Sequence, residues 1–287
     1  MPFVGCRGPP ATATMSIVST SHLHDYLHRI GVADADAPDL PTLRRIVAAH
    51  ARTIAFENLD PFTRREVRLD PDGLSAKLVR GRRGGWCFEQ NLLLRGALDA
   101  LGYATTGLAA RVMWGRPADA PLTPRGHMLL RVDLPEGTHL VDVGFGGLTL
   151  TGVLALEPEV AQETPHEPFR LWPAGTGFVM QALVGSEWRP LYRFDLAEQL
   201  LVDYEVSNFY LGHHPASHFL SGIMVARPDP DRRYALSGPG LAVHHLGGPT
   251  ERRTLESPAE IRRVLEETFL LDTSGLPDLE TALARLF

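Results

Sequence analysis

The sequence predicts an α+β fold, with helices in its first third, antiparallel strands through its middle and an amphipathic helix near its end. Up to Gly102 apolar residues recur at helical spacing. From Ala104 the period falls to about two, with Gly and Pro turns between the runs. Ser257-Pro258 then makes a helix start ahead of Ile261, Val264, Leu265 and Phe269. At 287 residues the chain can form one large domain or two to three small ones. Its 44% hydrophobic content is ample for a core. The net charge of -6 gives no reason to expect nucleic acid. Two cysteines, Cys6 and Cys87, make neither a disulfide framework nor a Cys-based zinc site. They fit a reducing, cytoplasmic compartment. No apolar run approaches the ~18 residues that span a bilayer, so no membrane partner is expected. The N-terminus lacks the apolar centre of an export signal.

Taken in order, residues 1–20 have no period and are rich in Gly, Pro, Ala and Thr. They read as a mobile tail, with Met15 an alternative start. Ser21 caps a first helix on which Leu23, Leu27 and Ile30 share a face, and Gly31 ends it. His24 and His28 have the spacing of a metal pair but lack a third ligand, and read as solvated helix residues. A second helix follows Pro41, with Leu43, Ile46, Val47 and Ile54 as its buried stripe. Phe56-Glu-Asn-Leu-Asp60 is either a helix end or a buried carboxylate group awaiting an arginine. In the Arg80–Arg83 run, Arg83 is the inward partner because it abuts two glycines.

Arg83-Gly-Gly-Trp-Cys-Phe-Glu-Gln-Asn91 turns a glycine loop into a helix whose buried face is Leu92, Leu94, Ala97, Leu98 and Leu101. Cys87 falls in the first turn, where unpaired N–H groups and the helix dipole favour an anion. That setting raises the thiolate fraction of a cysteine, whereas a lone Cys in mid-helix is more often a small buried hydrophobe. Strands follow at Ala104–Trp114, His127–Leu134, Thr138–Val143, Phe178–Val184 and Trp188–Phe194, forming a small antiparallel barrel or sheet. Asp203–Leu211 is helical. Gly222–Arg227, Arg233–Leu236 and Leu241–Leu246 add strands before the last helix, which runs through Phe269.

A thiolate nucleophile wants a base and a third group to orient that base. His127 opens a strand, and Asp142 lies in the next one, within Val-Asp-Val-Gly-Phe-Gly-Gly147. Either alone reads as a strand-end or turn residue. A tight turn at Glu136-Gly137 sets Asp142 opposite Arg131, about 13 Å along the strands from His127. Contact then needs another register, a bulge or a bend at the rim.

The nucleophile motif, Phe56–Asp60 upstream, a histidine 40 residues after the cysteine and the Val-Asp-Val-Gly-Phe-Gly box together resemble the arylamine N-acetyltransferase family. The likeness runs from about Tyr26 to Phe219. It implies a cysteine-protease-like Cys-His-Asp core of Cys87, His127 and Asp142. It also implies a helical bundle carrying the nucleophile (residues 21–103), a β-barrel carrying His and Asp (104–212) and an α/β lid (213–287). The implied reaction is ping-pong. Acetyl-CoA acetylates the cysteine, CoA leaves, and an arylamine or hydrazine takes the acetyl group; O-acetylation of N-hydroxyarylamines is a further outcome.

In that scheme the Cys87 amide and a second donor near Phe145 form an oxyanion hole. Gly126 and Phe145 contact the acceptor. Arg83 pairs with Glu57 and Asp60 to hold the nucleophile loop. Thr123, Tyr210 and Ser217 are the candidate CoA contacts, although Gly212-His213 departs from the family's frequent Ser or Thr. No metal is implied, and a homodimer stays open. The alternatives are an amide synthase of the same family that releases a polyketide chain as a macrolactam, and a cysteine hydrolase or transglutaminase-like enzyme.

Overall fold

The computed structural model describes residues 20–35, 37–117 and 119–287. The expected tail, with Cys6 and Met15, lies outside those residues except for Thr20. Helix α1 (Thr20–Ile30) begins at Thr20, so Ser21 stands inside the first turn rather than capping it. Gly31 ends it with φ +73°. His24 and His28 are exposed on its surface. Helix α2 (Leu40–Thr53) is capped by Asp39, whose carboxylate accepts from Thr42 N at 2.8 Å. Leu43, Ile46 and Val47 are its fully buried stripe.

The Phe56–Asp60 segment is not a helix end. It forms a two-residue strand β1 (Phe56–Glu57) and a short helix α3 (Leu59–Phe62). Helix α4 (Pro71–Leu74) runs into a π-helical turn, Ser75–Arg80. Helix α5 (Cys87–Ala100) starts at Cys87, and Gly102 follows its end at φ +90°. Its buried face carries Leu93, Leu94, Ala97 and Leu98, while Leu92 is only half-buried.

Seven strands then build one antiparallel sheet: β2 (Ala104–Val112), β3 (His127–Leu134), β4 (Gly137–Val141), β5 (Leu154–Ala155), β6 (Phe169–Ala174), β7 (Gly177–Val184) and β8 (Glu187–Phe194). Their order is β5-β4-β3-β2-β8-β7-β6. Bridges Pro158–Leu171 and Gln162–Phe169 join the chain after β5 to β6, so the two edges approach and nearly close a barrel. Leu108, Leu129, Leu140, Phe169, Met180 and Tyr192 fill it.

Helix α6 (Leu201–His213) leads to a second sheet of β9 (Met224–Asp229), β10 (Arg232–Ser237), β11 (Gly240–His245) and β12 (Thr250–Thr254). This sheet recruits β1 against β9, with Phe56 opposite Ala226. Ser257 caps helix α7 (Pro258–Glu267), which stops two residues short of Phe269, and α8 (Leu279–Leu283) follows. Phe62, Val225, Ile261, Leu265 and Phe269 share the core between this sheet and its helices. The architecture is α+β, with helices, a barrel and a final α/β layer in chain order. Among the described residues no helix is long and apolar enough to cross a membrane.

Candidate active site

Register decides what β3 and β4 bring together. Leu134 pairs with Gly137, so the turn is Pro135-Glu136 rather than Glu136-Gly137. Leu130 faces Val141, the ladder ends there, and Asp142 leaves the strand level with Leu129, two residues from His127 instead of four. Because side chains alternate, both point to one face. The released chain end covers the rest, and His127 Nε2 lies 2.7 Å from Asp142 Oδ2. Asp142 Oδ1 also takes Gly144 N at 2.9 Å and Asn91 Nδ2 at 3.1 Å, and the buried Tyr192 ring packs on His127 at 4.7 Å.

Cys87 completes the group from the start of α5. Its thiol lies beside His127, and Sγ is within hydrogen-bond reach of the Gly126 carbonyl, 3.7 Å from the oxygen. Gly144 packs so closely that a Cβ there would sit 2.7 Å from Cys87 Cα. His127 is 2% exposed. Burial pushes its pKa down, but the Asp142 charge and hydrogen bond outweigh burial and raise it to about 10. Burial likewise pushes the Asp142 carboxyl up, and His127 with the amide donors brings it below its ordinary value.

The amides of Val143, Gly144 and Phe145 donate to Asn91 Oδ1, Asp142 Oδ1 and Thr149 Oγ1. The second oxyanion donor expected near Phe145 is therefore not among them: those N–H groups hold the loop. Phe145 itself is half-buried, its ring edge-on to His127 at 5.2 Å and tilted on Tyr192 at 5.1 Å. Phe56 and Phe219 extend this aromatic wall. Their rings lie 6.5 Å apart, Phe219 is edge-on to Trp86 at 5.3 Å, and Phe56 lies under Gly146. The sequence marked Phe56 and Phe219 only as ends of motifs.

Arg83 grips Glu57 Oε1 at 2.6 and 2.9 Å and Asp60 at 3.1 Å. The cluster is larger than the sequence suggested. Lys77 Nζ sits 2.6 Å from Asp60 and 2.7 Å from Glu89, and Glu89 Oε2 accepts from Trp86 N at 3.0 Å. Burial drives the Glu89 carboxyl up to about 7 even though Lys77 opposes the rise. Glu89 was legible as the third helical residue of a capping box; Lys77, ten residues before Cys87, gave no signal. On the other side of the loop, Gln90 Nε2 donates to Ala55 O and Gly85 O, and its Oε1 meets His50 Nε2 at 2.6 Å.

The three CoA candidates do not converge with comparable clarity. Thr123 Oγ1 donates to Val112 O, and Ser217 Oγ to Leu211 O. Tyr210 is exposed and stacked on His214 at 4.4 Å. Among the described residues no group of three or more His, Cys, Asp or Glu is placed to hold a metal ion.

A family model described as N-acetyltransferase matches residues 39–275. The arylamine N-acetyltransferase of Mycolicibacterium smegmatis is 45% identical over 257 residues, 88% of this chain and 93% of that protein. The chain belongs to the arylamine N-acetyltransferase family. Two solved structures agree in fold. An arylamine N-acetyltransferase from M. smegmatis superposes with TM-score 0.89 at 44% identity, covering 91% of this chain and 97% of that one. The Mycobacterium marinum arylamine N-acetyltransferase in complex with CoA gives 0.89 at 42%, covering 92% and 98%. Cys87, His127 and Asp142 all fall within the span that the family model matches.

Proposed function

We propose that this chain transfers an acetyl group from acetyl-CoA to aromatic amines and hydrazines through a thioester on Cys87. The observation that carries the reading is Cys87 at the start of α5, beside a His127 whose Nε2 lies 2.7 Å from Asp142. Family membership supplies the acyl chemistry. The M. marinum relative's complex with CoA supports the donor.

His127, held by Asp142, is placed to draw the Cys87 thiol proton and keep it as an imidazolium. The thiolate attacks the acetyl carbonyl of acetyl-CoA, and the Cys87 amide, unpaired in the first helical turn, faces the developing oxyanion. The carbon–sulfur bond to CoA breaks, and His127 gives its proton to the departing CoA sulfur. Neutral His127 then takes a proton from the attacking amine as the amide forms and the Cys87 thiolate leaves. Gly126 and Phe145 border the acceptor side, with Phe56 and Phe219 as further aromatic wall. Arg83, Glu57 and Asp60 fix the loop that presents the cysteine. By the family resemblance, Thr123, Tyr210 and Ser217 are the residues assigned to CoA.

Initial rates over a grid of acetyl-CoA and 4-methoxyaniline test the order of events. Parallel double-reciprocal lines, with stoichiometric CoA release before amine is added, fit the thioester. Converging lines and no release without amine would replace it with direct transfer in a ternary complex.

A further inference from the structure

Arg233, on β10 of the second sheet, is 2% exposed and joins three segments far apart in the chain. Its Nε lies 3.0 Å from both carboxylate oxygens of Glu167, and Nη2 lies 2.6 Å from Oε2. Glu167 belongs to the connection between β5 and β6. The remaining nitrogen, Nη1, donates to Thr149 O at 3.1 Å and Gly147 O at 3.5 Å. Those carbonyls end the loop that begins at Asp142.

Within that loop Thr149 is the hinge pin. Its hydroxyl accepts from Phe145 N at 3.1 Å and donates to Asp142 O at 3.3 Å, while its amide donates to Gly146 O at 3.0 Å. A guanidinium from the second sheet therefore holds, through Thr149, the turn that sets the Phe145 ring 5.2 Å from His127. The planar five-donor fork suits this task, since it grips a carboxylate and two carbonyls in fixed directions. The Asp142 carboxylate does not depend on it. That group is held by His127, Asn91 and Gly144 N. Loosening Arg233 should then move the aromatic wall and leave the Cys87–His127–Asp142 group in place.

We propose that Arg233, clamped by Glu167, is a positioning residue for the acceptor step, fixing Phe145 so that the site favours flat aromatic amines over small nucleophiles. This rests on the reading of Cys87 as acetyl carrier and Phe145 as acceptor wall. Two variants test it: Arg233→Met with Glu167→Leu, which leaves no buried charge unpaired, and Thr149→Val, which keeps the ion pair but removes the hydroxyl bridge. For each, the acetylation of Cys87 by acetyl-CoA and the discharge of the acetyl-enzyme are timed separately by intact mass. Discharge is measured with 4-methoxyaniline and with hydrazine. The expected result is acetylation and hydrazine discharge at the wild-type rate, with 4-methoxyaniline discharge slowed by about tenfold to a hundredfold, the scale of a misplaced contact. Equal slowing with both nucleophiles, slowed acetylation, or no change in either variant overturns the inference while wild type still acetylates. Wild type that accepts no acetyl group overturns the underlying reading instead, and this inference with it.

Discussion

His127 is nearly inaccessible, yet its imidazole bonds a carboxylate that also takes donors from Asn91 and Gly144. The folded pKa of about 10 stands above the ordinary value near 6.5. A group raised in this way adds stability that is fully present below about pH 6.5 and is lost as pH rises toward 10. Thermal midpoints should accordingly fall over that window in wild type. Asp142→Asn, which removes the charge responsible, should flatten the slope. The same variant leaves the imidazole hydrogen-bonded to a neutral amide, and acetyl transfer should drop on the order of 10²–10⁴-fold, the scale seen when a triad carboxylate is neutralised. An Asp142→Asn enzyme with near wild-type turnover would remove Asp142 from the mechanism. At this scale Cys87, His127 and Asp142 were legible from residue type and motif. Their contact was not, because it hinges on whether the turn uses residues 135–136 or 136–137, and Glu136-Gly137 is the stronger turn signal.

The elements were readable where apolar residues repeat. Strands β2, β3, β4, β7 and β8 and helices α2, α5 and α7 follow their periods within a few residues. Strand β6 contains Pro173, which argues against a strand, and here it lies at an edge where the missing N–H costs little. Strand β12, Thr-Glu-Arg-Arg-Thr, has no apolar alternation because it is an exposed edge. Helix α7 stops early because Leu270 adopts φ +59° and turns the chain away. The loop before α5 is held by ions rather than by a hydrophobic period. Arg83→Met should therefore cost about 3–5 kcal/mol in urea unfolding by leaving Glu57 and Asp60 underpaired. A loss below ~1 kcal/mol would mean that Lys77 alone neutralises both acids. Gly144→Ala tests the closest packing in the site. Its Cβ would meet the Cys87 backbone, so activity should fall even if the protein melts normally.

Across the whole molecule, residues 56–58 stitch the helical region that carries Cys87 to the second sheet. Strand β1 pairs with β9, and Asn58 donates to Phe219 O at 2.9 Å and Gly222 O at 2.8 Å while accepting from Met224 N at 2.6 Å. No sequence period announces a two-residue strand or a side chain that spans 166 positions. Asn58→Ala leaves three backbone groups without that partner and should cost about 1–3 kcal/mol. Tryptophan fluorescence and far-UV circular dichroism should report the loss as one coincident unfolding transition; separate transitions would mean that the second sheet folds on its own. The resemblance in the nucleophile motif gave the family and the order of regions. It gave neither this stitching nor the Arg233 joint, since both depend on contacts between residues distant in the chain.

If Cys87 carries the acetyl group between donor and acceptor, intact-protein mass after mixing with acetyl-CoA in the absence of amine will show it. Wild type should gain a single acetyl group, Cys87→Ala none, and an added aromatic amine should return wild type to its starting mass. An unmodified wild type, or an acetyl group that also appears on Cys87→Ala, would contradict the account.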